Sequence, residues 1–154
     1  MSESTGIRIL VVDDDEGFRE SLIARLKRKG HDVTGSPSAN EGLNLARVES
    51  FSLALIDIRM PEMDGLSLLR AMKAAVPMME VVILTGFATV ETAIEAMKLG
   101  AYDYLTKPFE PAKLDVVLEK AFEKWQLSRH AQMLEGEVLR LSRELKERYS
   151  FQNM

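Results

Sequence analysis

Leu53-Ala54-Leu55-Ile56-Asp57-Ile58-Arg59-Met60-Pro61 decides how this chain folds. Every residue before Arg59 in that stretch is apolar except Asp57. A short apolar run bounded by turn residues reads as a strand buried on both faces, as in parallel sheets. Met60-Pro61-Glu62-Met63-Asp64-Gly65 then stops it, with Pro and Gly as punctuation. Asp57 therefore belongs at the carboxyl end of a central strand, where open α/β sheets place their ligands. A lone Asp there is ordinarily a helix cap or a turn starter. A nucleophile or metal ligand needs partners from elsewhere in the chain.

Outward from this strand the same alternation repeats. Ile7-Arg8-Ile9-Leu10-Val11-Val12 is a β-branched first strand, followed at once by Asp13-Asp14-Asp15-Glu16. Phe18, Leu22, Ile23 and Leu26 recur at helical spacing, with Arg19, Glu20, Arg25 and Lys27 on the other face, and Gly30 ends that helix. His31 to Gly35 forms a weak, short second strand. Ser38-Ala39-Asn40-Glu41 fits a capping box, and Leu43, Leu45 and Ala46 carry the apolar face of the second helix. A third helix runs from Leu66 to Ala75 and ends near Pro77. Val81 to Leu84 is the fourth strand, closed by Thr85-Gly86. Val90, Ile94 and Met97 line the fourth helix, with Gly100 as its cap. Tyr102 to Thr106 is the fifth strand, closed by Lys107-Pro108-Phe109, and Pro111 suits the first position of a fifth helix. Such alternation means a parallel sheet with helices on both faces. Right-handed crossovers leave few arrangements. The flavodoxin-like order 2-1-3-4-5 makes the first and third strands neighbours, with the ligand crevice at their carboxyl ends.

Four strands then end in chemically loaded residues: Asp13-Asp14, Asp57, Thr85 and Lys107. Singly, each has a plain structural explanation, whether helix-start acid, turn residue or solvated surface charge. Together they converge on one edge of the sheet. Clustered carboxylates repel, so they tolerate close approach only with a cation or a proton among them. Oxygen ligands without sulfur or imidazole point to a hard ion, and a site that also handles phosphate points to Mg²⁺. For phosphoryl transfer, Asp57 attacks phosphorus to give an aspartyl phosphate. Lys107, the Thr85 hydroxyl and a backbone N–H meet the equatorial oxygens.

Val11-Val12-Asp13-Asp14, Ile56 to Gly65, Leu84-Thr85-Gly86 and Gly100 to Phe109 together resemble the response-regulator receiver domain of bacterial two-component signalling. The resemblance covers residues 6–125. It implies that Asp57 accepts phosphoryl from a sensor histidine kinase. Asp14 and Asp57 would bind Mg²⁺ directly, Asp13 mostly through water, and the Arg59 carbonyl would be a further ligand. Arg19 lies at the family spacing if Asp13-Asp14 is the acid pair, which leaves Asp15 to start the helix. The resemblance also implies a cis Lys107-Pro108 bond and a switch. Thr85 moves toward the phosphoryl group and Tyr104 turns inward, remodelling the surface of the fourth helix, fifth strand and fifth helix.

Beyond the receiver the helical pattern continues through residues 126–148. Leu127, Ala131, Leu134, Val138, Leu141 and Leu145 alternate spacings of four and three, a heptad seam that favours a parallel two-stranded coil and hence a homodimer. Gly136 weakens that helix by about 1 kcal/mol relative to Ala. Without a partner the same segment would be a single amphipathic linker. Residues 149–154 resemble the entry to the AAA+ domain of nitrogen-regulation-type enhancer-binding activators, so the chain reads as receiver plus dimerising linker of a longer transcription activator.

Bulk properties bound the remaining possibilities. The chain has 154 residues, 46% hydrophobic and 29% charged, enough for one domain with an appendage. It lacks cysteine, which excludes disulfides and thiolate zinc sites, and its two histidines, His31 and His130, lie far apart. A net charge of −4 gives no footprint for nucleic acid. With no leader-like start and no run long enough to span a membrane, the expected location is cytoplasmic. Two other functions fit part of the pattern. One is a stand-alone receiver acting on a partner in trans, against which the heptad tail argues. The other is a Mg²⁺ phosphohydrolase of the haloacid-dehalogenase type, which would want an acid where Arg59 stands.

Overall fold

A computed structural model of the chain describes residues 6–152, with side chains from Gly6 to Tyr149. Its elements run β1 (Arg8–Val12), α1 (Glu16–Arg28), β2 (Asp32–Ser36), α2 (Ala39–Val48), β3 (Leu53–Ile56), α3 (Gly65–Ala75), β4 (Glu80–Thr85), α4 (Val90–Lys98), β5 (Asp103–Thr106) and α5 (Pro111–Gln152). The strands form one parallel sheet in the order β2-β1-β3-β4-β5, the order expected from the sequence. Side chains alternate between the faces of the sheet. Leu10, Val12, Ala54, Ile56, Val81 and Ile83 meet α2, α3 and α4 on one side. Ile9, Val11, Leu53, Leu55, Val82, Leu84 and Leu105 meet α1 and α5 on the other. Burial on both faces is why β3 and β4 read as unbroken apolar runs.

Boundaries shift by a residue where pairing overrides pattern. β2 reaches Ser36 because the ladder pairs it with Val12. β4 starts at Glu80, which pairs with Leu53. His31 stays outside β2; its ring Nδ1 accepts the Ile7 N–H at 3.3 Å. Gly30 and Gly100 take φ of 94° and 103°, the left-handed region that ends α1 and α4.

The capping differs from expectation in one place. Ser38 does cap α2, accepting the Glu41 N–H, but Glu41 does not complete the box. Its carboxylate accepts from the Ser36 hydroxyl instead, while the Ser38 N–H donates to Ser36 Oγ. A reciprocal box forms at α4, between Thr89 and Thr92.

α5 packs on the sheet through Leu114, Val117, Leu118 and Ala121, then leaves it. Phe122 and Trp125 stack at the point of departure. From Arg129 to Tyr149 every residue is exposed, and so is Leu127, so the whole seam lies open. The helix runs unbroken through Gln152, so Tyr149 to Gln152 continue α5; Asn153, Met154 and the side chains of Ser150 to Gln152 lie outside the described residues.

Candidate functional site

Asp57 is the first residue past β3, still tied to the sheet by its N–H to the Val12 carbonyl at 3.2 Å. The side chain is buried, and its two oxygens have different partners. Oδ1 accepts the Arg59 N–H at 3.1 Å, and Oδ2 accepts from Lys107 Nζ at 3.1 Å. The loop after it folds back tightly. Gly65 N–H bonds the Ile58 carbonyl at 2.6 Å, and a Cβ on Gly65 would overlap the Asp57 carbonyl oxygen and Ile58 Cα. Only glycine fits there.

Asp13 follows β1 and is likewise buried. Its Oδ1 accepts the Asp15 N–H at 2.9 Å, its Oδ2 accepts from Lys107 Nζ at 2.7 Å, and its carbonyl accepts from Arg19 Nη1 at 2.7 Å. Asp15 is the N-cap of α1, accepting the Phe18 N–H. Lys107 follows β5 and is anchored by its N–H to the Thr85 carbonyl at 2.8 Å; the bond to Pro108 is cis. The Lys107 ammonium thus lies between two acids from two other strand ends. With both acids ionised the trio carries one net negative charge in a largely dry place. Burial accordingly pushes the Asp13 carboxyl upward, against the pull of Lys107 and the Asp15 N–H. Burial also works against the Lys107 charge, but its bonds and attraction to Asp13 and Asp57 prevail and hold its pKa above the ordinary lysine value.

The remaining site residues surround this trio. Thr85 is fully buried, and its Oγ1 accepts the Phe87 N–H at 3.1 Å. Asp14 is exposed and lines a shallow cleft of about 510 Å³ with Ile58, Arg59, Met60, Pro61 and Asp64. The Arg59 guanidinium lies over the Phe87 ring, 4.1 Å from its centroid. Tyr104 points elsewhere: its hydroxyl shares a 2.7 Å hydrogen bond with Thr92 Oγ1 on α4. Leu127, Ala131, Leu134, Val138, Leu141 and Leu145 lie on the free part of α5, apart from this cluster.

Three features escaped the sequence. Thr92, Phe87 and Phe18 touch site residues across long separations that no local periodicity encodes. Phe18 carried a signal only as a member of the apolar face of α1.

The donor set suits a hard cation. Among the described residues no three acidic or imidazole side chains gather closely enough to enclose a metal by themselves. Two buried acids share one positive charge, and an exposed third acid, Asp14, lines the adjoining cleft together with the loop residues Arg59 and Met60. Mg²⁺ is commonly held by one or two carboxylates and several waters rather than by an all-protein cage. The residues present fit such an ion.

Sheet order, strand-end acids and bridging lysine are those of a receiver-type signalling domain, and the family model for the response regulator receiver domain matches residues 9–119. The chain belongs to that family. A putative response regulator NtrX-like protein of Rickettsia bellii is 37% identical over 135 residues, covering 86% of this chain and 28% of its own length. The transcriptional regulatory protein ZraR of Escherichia coli K12 is 45% identical over 115 residues, covering 75% of this chain and 26% of its own. This chain thus spans little more than a quarter of either relative. Among solved structures, the beryllofluoride-activated NtrC4 receiver domain dimer superposes with a TM-score of 0.73 at 33% identity, covering 77% of this chain and 98% of that one.

Proposed function

We propose that the chain is a phosphorylation-switched regulatory domain in which Asp57 accepts a phosphoryl group from a sensor histidine kinase. The observation that carries this is the Lys107 ammonium held between Asp13 and Asp57 at the carboxyl edge of the sheet. An Asp57 oxygen attacks phosphorus in line, the bond to the donor imidazole breaks, and its electron pair returns to the ring nitrogen. Lys107, already within reach, moves onto an equatorial oxygen. The Thr85 hydroxyl and the Arg59 N–H donate to the others. Asp13, Asp14, Asp57 and the Arg59 carbonyl would hold Mg²⁺, which when bound neutralises charge on the phosphoryl oxygens. The domain catalyses only its own phosphorylation and dephosphorylation. A phosphohydrolase is disfavoured because Arg59, in the place of a second acid, stacks on Phe87.

The output is a change in the α4–β5–α5 surface, through Thr85 and Tyr104, coupled to a homodimer whose seam is Leu127, Ala131, Leu134, Val138, Leu141 and Leu145. Residues 6–125 are the receiver, 126–148 the dimerising linker, and 149–154 lead toward a further domain. On this reading the target is a cytoplasmic, transcription-activating AAA+ module; the name of one longer relative, a transcriptional regulatory protein, supports the transcriptional part. No helix among the described residues is long and apolar enough to cross a membrane. Exposure of the whole seam favours this reading over a stand-alone receiver.

Incubation with acetyl phosphate and Mg²⁺ should add one phosphoryl group, seen as a single mass increment. Asp57→Asn should abolish it. A phosphoryl group on the Asn variant would place the acceptor elsewhere.

A further inference from the structure

We infer that Phe18 is a positioning residue for Lys107, its ring serving as an uncharged rest that keeps the ammonium in place while Asp13 and Asp57 change partners. The inference rests on the phosphoacceptor reading of Asp57. An ammonium has three N–H donors. Two of those of Lys107 are taken by Asp13 Oδ2 and Asp57 Oδ2, at 2.7 and 3.1 Å. Nζ also lies 3.8 Å from the centroid of the Phe18 ring, within range for attraction between a cation and the negative face of an aromatic ring.

The ring is itself held. Asp15 caps α1 by accepting the Phe18 N–H at 3.1 Å, which fixes the backbone turn that carries it. Phe109 packs edge-on against it, with centroids 6.3 Å apart and planes at 87°. Phe109 lies two residues after Lys107, so the element that supplies the lysine also braces the ring beneath it.

Charge explains why a ring suits this position. Phosphorylation loosens the hold of both carboxylates on Lys107: Asp57 becomes an acyl phosphate, a mixed anhydride with no carboxylate charge of its own, and a cation held beside it would draw on Asp13. A third carboxylate would keep the ammonium in place but would repel the incoming phosphoryl oxygens. An aromatic face restrains the ammonium without adding negative charge, leaving its hydrogens free to turn to phosphoryl oxygen.

Three versions of the 154-residue chain test this with acetyl phosphate, which needs no kinase docking surface: the parent, Phe18→Leu and Phe18→Tyr. Phe18→Leu should lower the maximal phosphorylation rate about three- to tenfold, the scale of a lost cation–π contact, with the half-saturating acetyl phosphate concentration unchanged. Phe18→Tyr should restore the rate. Before any phosphodonor is added, the terminal methylene protons of Lys107 should show an upfield ring-current shift in the parent and the Tyr variant that disappears in the Leu variant. A Leu variant as fast as the parent, a Tyr variant as slow as Leu, or no ring-current shift in the parent would each overturn the inference. A parent chain that takes up no phosphoryl group would instead refute the role of Asp57, and the methylene shift would still report on Phe18.

Discussion

His31 accepts the Ile7 N–H on Nδ1, which only a neutral ring can do. Burial holds its pKa below the ordinary 6.5; Asp115 draws it back up and Lys29 presses it further down. The folded protein therefore binds this proton less readily than the unfolded chain. Stability is complete above 6.5 and falls as pH drops through the folded value. His31→Gln keeps an acceptor and removes the titration, so the gap in denaturation midpoint between parent and variant should shift in favour of the variant as pH falls below 6.5. A gap independent of pH would refute the linkage. Residues whose role depends on their place along the chain were legible in this way: Asp13, Asp57, Thr85 and Lys107 each close a strand, and parallel strands share one closing edge. Phe18 was not legible as more than core. An aromatic on a helix face has the same spacing whether it meets an aliphatic layer or an ammonium, and only the folded approach of α1 to β5 distinguishes the two.

At the level of elements, α4 shows how one side chain can hold two structures together. Thr92 accepts the Thr89 N–H at 3.1 Å, completing the cap of the helix, and its hydroxyl also bonds Tyr104 on β5. A Thr–Thr box lacks the acidic or amide residue that makes such caps visible in sequence. The Ser38–Glu41 pair looked the part and did half of it, because the Ser36 hydroxyl takes both the carboxylate and the Ser38 N–H that the box would have joined. Thr92→Val keeps the shape and removes both bonds. Loss of a capping interaction costs about 1 kcal/mol. Amide exchange in the first turn of α4 should rise about fivefold on that scale, and the Tyr104 ring should gain mobility. Unchanged exchange there would mean that the cap carries no local stability.

Taken whole, the molecule is a packed sandwich with an exposed rod attached. Its strand order was readable because apolar runs, turn residues and crossover handedness all agreed. The fate of the rod was not, because a heptad seam describes a surface without saying what meets it. Leu134 and Leu141 are 53% and 46% exposed in the single chain, and burying a leucine is worth roughly 1.5–3 kcal/mol. In a parallel dimer each would face its own counterpart across the axis. Replacing both with Glu should leave phosphorylation intact and convert a dimer to a monomer in sedimentation. A double variant that keeps the parent's mass would move the dimer contact to the receiver or remove it. The continuity of α5 also sets a mechanical scale. At 1.5 Å per residue, the part from Trp125 to Gln152 is about 40 Å long. A five-degree tilt at the Phe122–Trp125 stack would sweep its far end through about 3.5 Å. This helix is a lever arm, and rearrangements at the receiver too small to notice locally become displacements the size of a side chain at its far end.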